Sequence, residues 1–493
     1  MRKLARLILA VIAVGALLLA PSYIRYRRTG NVVPPGVRLA GTEANGRSDA
    51  EVAAALNRVF SEPVALYYDD QRIILRPQAV GFRVDARSML AEARAQATPF
   101  RIVRQLAGDA INRSPEPFSV PLRYTVDQAT LDNWLADIAR QYDRAPRPPQ
   151  PILATLSISQ GEPGLELDLP GSRDAVLRAL TQANDRSTNL VFQQTPAPPP
   201  DINALAELLK ARLEEFPGIA SVFLHHIPTG QEVAINADVA YAGMSTMKIP
   251  ILAEVYRKLD AAPDVETTKL ITETMSHSGN FTANLLLGVI DDGSPDAGVR
   301  ILNDSLRKLG LKNTFMATPY DRKYTIPPRV ATEANSRTDL NTQPDPYMQT
   351  TPRDMGLILS MLVECSQGGG TLLAAYGDQF TDAECRQALD FMALNEVKAL
   401  LTEGVPAGTR VVHKHGYVAD SHGDVAAIWG PAGPYVLSVY LYRPPWLEWD
   451  LSRNTMRDVS QAVWSYFAAD SSQVARPADS RSPDATKQAT STP

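Results

Sequence analysis

Ser245-Thr-Met-Lys248, running straight into Ile249-Pro-Ile-Leu-Ala-Glu-Val-Tyr256, is the stretch on which the reading of this 493-residue chain turns. The apolar run predicts a helix, and the tetrapeptide stands at its N-terminus. Residues three apart on a helix share a face, so the Lys248 amine reaches the Ser245 hydroxyl. A helix start also brings unpaired backbone N–H groups and the positive end of the dipole to the same place. A hydroxyl, an amine able to take its proton and N–H groups able to hold an oxyanion are the parts of nucleophilic acyl transfer. Ser-x-x-Lys alone is a weak signal, since on the order of one copy arises by chance in a chain this long.

Two later runs give it context. Ser278-Gly-Asn280 is followed by Phe-Thr-Ala-Asn284-Leu-Leu-Leu287, and Lys414-His-Gly416 lies on an alternating segment followed by Gly423-Asp-Val-Ala-Ala-Ile-Trp-Gly-Pro431. In this order the three runs resemble the active site of class A β-lactamases and penicillin-binding serine acyltransferases. The resemblance covers about 201–470. It implies an α+β fold, an antiparallel sheet flanked by helices, and an acyl-enzyme mechanism without cofactor or metal. By the same resemblance, Ser245 is the nucleophile and Lys248 its base. Ser278 relays a proton to the leaving nitrogen, and Lys414 holds a substrate carboxylate. Asn280 binds the substrate amide, Gly416 allows close approach, and the N–H of Tyr417 joins that of Ser245 as oxyanion hole. Asn284 pins the local fold.

The match departs from the family in three places. Gly279 replaces an Asp, which is expected to loosen its loop. His415 replaces a hydroxyl and is expected to offer a ring N–H to the carboxylate or to narrow the site. Arg337-Thr-Asp-Leu-Asn341 keeps the Leu-Asn pair of the family's Glu-x-x-Leu-Asn loop, but Arg337 stands where the deacylating glutamate belongs. Asp339 and Glu333 lie near it at the wrong offsets. Without a base to activate water, an acyl-enzyme persists. Ser245 and Ser278 are also close in sequence for this family, so an open cleft suited to a peptide-like ligand is expected.

The flanking chain is read as three further regions. Arg2, Lys3 and Arg6 precede an apolar run over 7–24 that would span about 27 Å as a helix. Residues 1–30 are read as an uncleaved membrane anchor with the bulk of the chain outside the cytoplasm, the rival being a cleaved signal peptide. Residues 31–199 are read as two small α+β repeats. Each would have a helix (Asp49–Phe60; Gln128–Tyr142), an alternating strand (Val64–Asp69; Ile152–Ile158), a Gly-to-Asp run (Gly81–Asp85; Gly164–Asp168) and a second helix (Ser88–Ala97; Ala175–Asn184). With Pro34-Pro-Gly-Val37 and Gly41, this pattern resembles peptidoglycan-binding-type modules, and a ligand-free spacer is the other reading. The proline run Thr195–Pro200 marks the boundary, and 471–493, lacking any apolar period, is read as a disordered tail.

The net charge of −5 gives no reason to expect nucleic acid. Cys365 and Cys385 exclude a cysteine-rich zinc framework and stand either as one disulfide or as two buried thiols. His225, His226 and His422 lack metal-ligand spacing. The expected partners are a β-lactam or a peptidoglycan stem peptide, and the membrane through the N-terminal run.

Overall fold

The computed structural model describes residues 20–21, 23–24, 32–34, 36–44, 46–110, 118–259, 261–322 and 329–471. The expected anchor over 7–24 therefore falls almost wholly outside the described residues, as does the tail after Ser471. Among the described residues no single helix is long and apolar enough to cross a membrane. The chain forms two compact units. One comprises the residues up to Pro146 together with Pro163–Pro196; the other comprises Arg147–Glu162 and the chain from Ala197 onward.

In the first unit the helices Asp49–Phe60, Ala86–Gln96, Gln128–Tyr142 and Leu169–Thr181 pack Val52, Leu56, Leu90, Leu131, Leu135 and Val176 into one core. The runs ending in Asp85 and Asp168 do behave alike, because each Asp caps the next helix through the backbone N–H three residues on (Ser88 and Gly171). The strands do not repeat. Val64–Tyr68 pairs with Gln71–Leu75 as a hairpin. The expected counterpart over Ile152–Ile158 forms only two-residue strands, Pro151–Ile152 and Ser157–Ile158, around a 3-10 turn. Pro148, Pro149 and Pro151 have no N–H to donate, so this segment cannot carry a ladder. It belongs to the second unit, where Ile158 is buried beside Leu205 and Phe467, and its N–H bonds Ser465 Oγ at 3.0 Å.

The second unit is built on five strands: β1 (Ile219–His226), β2 (Glu232–Ile235), β3 (Val411–Tyr417), β4 (Ser421–Gly430) and β5 (Gly433–Tyr442). Their order is β2-β1-β5-β4-β3, and all pairs are antiparallel. The period of two along β5 assigns its two faces. Tyr435, Leu437, Val439 and Leu441 pack under α1 (Ile202–Glu214) and the C-terminal helix Trp449–Ser471. Val436, Tyr440 and Tyr442 face the other core. That core is filled by α2 (Lys248–Lys258), α3 (Val265–Ser276), α4 (Asn280–Ile290), α5 (Pro295–Lys308) and α6 (Pro352–Ser366).

The sheet is thus buried on both faces, which is why β5 reads as a nearly unbroken apolar run. Strands from both ends of the unit lie side by side, as the α+β reading expected. Cys365 on α6 is joined to Cys385 as a disulfide, which decides between the two readings of that pair. Only α2 and α3 lie between Ser245 and Ser278.

Candidate active site

Ser245 lies in a 3-10 turn, Met244–Met247, that feeds α2. No side chain caps this helix, and Met244 takes a left-handed φ of 51°. Such a conformation needs outside support in a residue with a Cβ. Tyr320 supplies it by donating its hydroxyl to the Met244 carbonyl at 2.9 Å. Tyr440, from β5, donates to Thr246 Oγ1 at 2.7 Å, and Thr246 donates on to the Gly243 carbonyl. The turn that presents Ser245 is therefore held by two buried tyrosines.

Lys248 is fully buried and its Nζ points back at Ser245 Oγ, 2.8 Å away. The same nitrogen donates to the Ser278 carbonyl (3.0 Å) and Asn280 Oδ1 (2.8 Å), and lies 4.4 Å from the centre of the Tyr320 ring. Ser278 is a second left-handed residue, with φ 60°. That turn aims both its carbonyl and its hydroxyl inward. Its Oγ accepts from Lys414 Nζ at 2.9 Å and stands 3.4 Å from Lys248 Nζ. Two buried ammonium groups thus converge on one hydroxyl. Burial, and then the Lys414 charge, lower Lys248 to about 7. Burial lowers Lys414 to about 8, with Asp424 opposing. Near neutral pH Lys248 is poised to accept a proton.

Lys414 lies on β3, the edge strand of the sheet. Val418 donates to Ser421 across the hairpin, and Tyr417 pairs with His422. Alternation along an antiparallel ladder then turns the N–H groups of His415 and Tyr417 off the sheet edge. That edge abuts the Ser245 turn: a Cβ on Gly416 would stand 2.8 Å from the Ser245 nitrogen and 2.7 Å from Met244 Cβ. Only glycine allows this approach. The arrangement suits an oxyanion pocket between the two strand-edge and turn N–H groups.

Asn284, on α4, clamps Tyr320 in both directions, donating to its carbonyl (3.0 Å) and accepting from its N–H (2.8 Å). Ser245, Lys248, Ser278, Asn280 and Lys414 are therefore brought into one hydrogen-bonded set, with Gly416 against it and Asn284 holding its wall. The His415 ring is not part of that set, although the His415 carbonyl accepts from Lys414 Nζ at 3.2 Å. Its neighbours on the strand alternate, so its ring lies with His413 and Tyr417, and Nδ1 faces the Asn395 amide at 3.3 Å. Burial, and then the Lys414 charge, push it down to about 4, which leaves the ring neutral.

Gly279 is not loosely held either. Thr282 Oγ1 lies 2.6 Å from where a Cβ would be, donating to the Gly279 carbonyl and accepting from Thr274. Arg337 forms an ion pair with Asp339 at 2.6 Å and holds that carboxyl down to about 2, while Glu333 is exposed. Neither carboxylate has a hydrogen bond to the Ser245 set. Among the described residues no cluster of three His, Cys, Asp or Glu side chains could hold a metal ion.

The sequence reading missed Tyr320, Tyr440 and Asp321. Tyr440 was detectable, because it alternates onto the site face of β5. Nothing in the sequence marks Tyr320 or Asp321, which lie on a distant loop that Asn284 clamps beside the site.

A model of the beta-lactamase enzyme family matches residues 203–263 and 257–467, more than half of the chain. The chain belongs to the beta-lactamase enzyme family. Among solved structures it is similar to PBP-A, at 19% identity over 56% of this chain and 99% of that one, with a TM-score of 0.42. A beta-lactamase from Desulfarculus baarsii DSM 2075 shows 22% identity over 54% and 98% of the two chains, TM-score 0.41. One from Xanthomonas campestris pv. campestris shows 23% over 53% and 98%, TM-score 0.39. No curated protein matches the chain.

Proposed function

We propose that this family member is an extracytoplasmic serine hydrolase, anchored through residues 1–30, that is acylated at Ser245 by β-lactams or peptidoglycan-stem-like amides and releases the acyl group slowly. One observation carries the reading: a buried Lys248 amine sits 2.8 Å from Ser245 Oγ, with its pKa lowered to about 7. The Cys365–Cys385 disulfide favours an oxidising compartment.

In the proposed reaction, neutral Lys248 takes the Ser245 proton as Oγ attacks the carbonyl carbon. The oxyanion is held by the N–H groups of Ser245 and Tyr417. Lys414 draws in the substrate carboxylate and orients Ser278, whose hydroxyl passes its proton to the leaving nitrogen as the C–N bond breaks. Ser278 recovers a proton from Lys248. A β-lactam nitrogen stays tethered after ring opening, whereas a peptide amine departs. Asn280, already engaged by Lys248, receives the substrate amide on its remaining valences. Slow release is supported by the wall beside Lys248, where Asn284 clamps Tyr320, whose buried phenol is held in its protonated form, and where no glutamate has a hydrogen bond to the Ser245 set among the described residues.

A D,D-peptidase or penicillin-binding role fits slow release better than antibiotic destruction does. Residues 31–199 are proposed to contact peptidoglycan, which sedimentation of the Ser245→Ala chain with insoluble wall material checks. Intact mass measured after exposure to penicillin tests the central claim. A single persistent adduct, lost in Ser245→Ala, is expected. An adduct that survives the substitution, or none on the wild-type chain, refutes acylation at Ser245.

A further inference from the structure

Asp321 follows Tyr320 on the loop that Asn284 clamps. Its Oδ1 accepts from Asn280 Nδ2 at 3.3 Å, while Asn280 Oδ1 accepts from Lys248 Nζ at 2.8 Å. A side-chain amide has one donor end and one acceptor end. With a carboxylate at the donor end, the oxygen must face the lysine. Turned over, Asn280 would set its oxygen against a carboxylate and, while Lys248 is protonated, its N–H against an ammonium group, repulsive contacts in place of two hydrogen bonds.

The loop holds Asp321 in an unusual backbone state to achieve this. Its φ is 62°, a left-handed conformation that Asp and Asn tolerate better than other residues with a Cβ. Thr318 Oγ1 bonds the Arg322 carbonyl at 2.9 Å, closing the turn around it.

We propose that Asp321 is a positioning residue for acylation: it fixes the Asn280 amide with its oxygen toward Lys248, and its negative charge raises the pH at which Lys248 is free to take the Ser245 proton. The inference rests on the acylation proposed above. Lys248 is faced by Lys414 and His415 from β3, by Ser278 and Asn280 at the start of α4, and by Tyr320 and Asp321 from the loop. Lys414 disfavours the ammonium form, neutral His415 leaves it unchanged, and Asp321 favours it. Asp424 bears on Lys414. Removing the Asp321 charge therefore lets Lys248 lose its proton at lower pH.

The test is an NMR titration of the full chain with labelled lysine, Lys248→Met serving to assign the signal. In Asp321→Asn, which keeps an acceptor for Asn280 but no charge, the Lys248 midpoint is expected to fall by about half a pH unit, and by less in 1 M salt. The acidic limb of the acylation rate should move with it, so that below the limb the variant reacts about threefold faster than the wild type. Asp321→Ala removes the acceptor as well and should lower the acylation plateau about tenfold, with Asp321→Asn staying near wild type. A Lys248 midpoint unmoved in Asp321→Asn overturns the proposal, and so does an Asp321→Ala plateau equal to the wild type's. The titration needs no acylation, so a chain that takes no adduct refutes the acyl-enzyme while the midpoint still decides the role of Asp321.

Discussion

The two units treat buried polarity in opposite ways. Among the described residues, the first buries two polar side chains, Gln105 and Ser172, both uncharged. The second buries Lys248, Lys414, Glu254, Asp354 and Asp424, with His226, His413, His415 and His422. An isolated buried charge is costly, so a fold keeps such groups only where they are paired or where their altered ionisation is of use. Some of the second unit's buried charges are paired: Glu254 meets Arg257 at 2.8 Å, and Asp424 meets His413 at 2.9 Å. Lys248 and Lys414 have no carboxylate in hydrogen-bond contact. They share Ser278, and that unrelieved pair singles the cleft out from the rest of the molecule. Among the described residues the first unit buries no such pair.

The strongest way to break this contrast is to remove its centre. Lys248→Met keeps the volume and loses the amine. Acylation by penicillin, followed by stopped-flow or by mass, is expected to fall about a thousandfold, because no other base touches Ser245 Oγ. The same change should stabilise the second unit by about 1 kcal/mol at pH 6, where the buried amine is a burden. The sign follows from the pKa. The folded value, about 7, lies below the ordinary lysine value of 10.5, so the folded state binds fewer protons between them and wild-type stability rises over that range. The stability advantage of the variant must therefore shrink as pH is raised from 7 toward 10. A loss of stability at pH 6 would place Lys248 among ordinary packing residues.

A second change tests where the boundary between the regions runs. Ile158 is 8% exposed and packs in the core formed by α1 and the C-terminal helix. Ile158→Ala should destabilise the second unit by about 2 to 3 kcal/mol and leave the first untouched. Calorimetry separates the outcomes by which transition moves. A shift of the first unit's transition would return 147–162 to the proposed repeat.

These examples show what the sequence could and could not reveal. The three motifs were legible because their chemistry needs particular residues at fixed local offsets, and the sheet was legible because its strands alternate or run apolar. The second repeat misled because Ile152-Leu-Ala-Thr-Leu-Ser-Ile158 alternates like a strand, while the prolines before it deny that strand its hydrogen bonds. His415 was given a role at the substrate carboxylate; its ring lies with His413 and Tyr417 and faces the Asn395 amide, a placement that the motif alone does not reveal. Tyr320 and Asp321 were invisible because a single side-chain clamp, Asn284 on the Tyr320 backbone, brings a distant loop to the lysine. No local pattern encodes a contact of that kind.

The shared hydroxyl also makes a pH signature. In the proposed reaction acylation needs Lys248 neutral and Lys414 charged, so its rate should rise through about pH 7 and fall above about 8, the two limbs belonging to the pair together. Lys414→Arg keeps the charge at every accessible pH. It is expected to remove the alkaline limb, improving the ratio of rates at pH 9.5 to pH 7.5 by about tenfold over the wild type. An alkaline limb that persists would assign the fall to another group and leave Lys414 outside carboxylate binding.

The smallest expected effect concerns the loop that sequence comparison favoured. Arg337 was aligned with a deacylating glutamate, an alignment on which Arg337→Glu would restore turnover. The clamp argues otherwise. Asn284 grips Tyr320, seventeen positions earlier, and so Tyr320 and Asp321 form the wall beside Lys248. Arg337 pairs with Asp339 within its own loop. A glutamate placed there would face that carboxylate and would have no contact with the Ser245 set, so it could not orient a water on the acyl carbon. The release rate of the penicillin adduct is therefore expected to change by less than about threefold, within what a lost surface ion pair produces. A gain of a hundredfold or more would mean that this loop reaches the acyl group after all, and the wall of the lysine-centred cleft would have to be redrawn around residue 337.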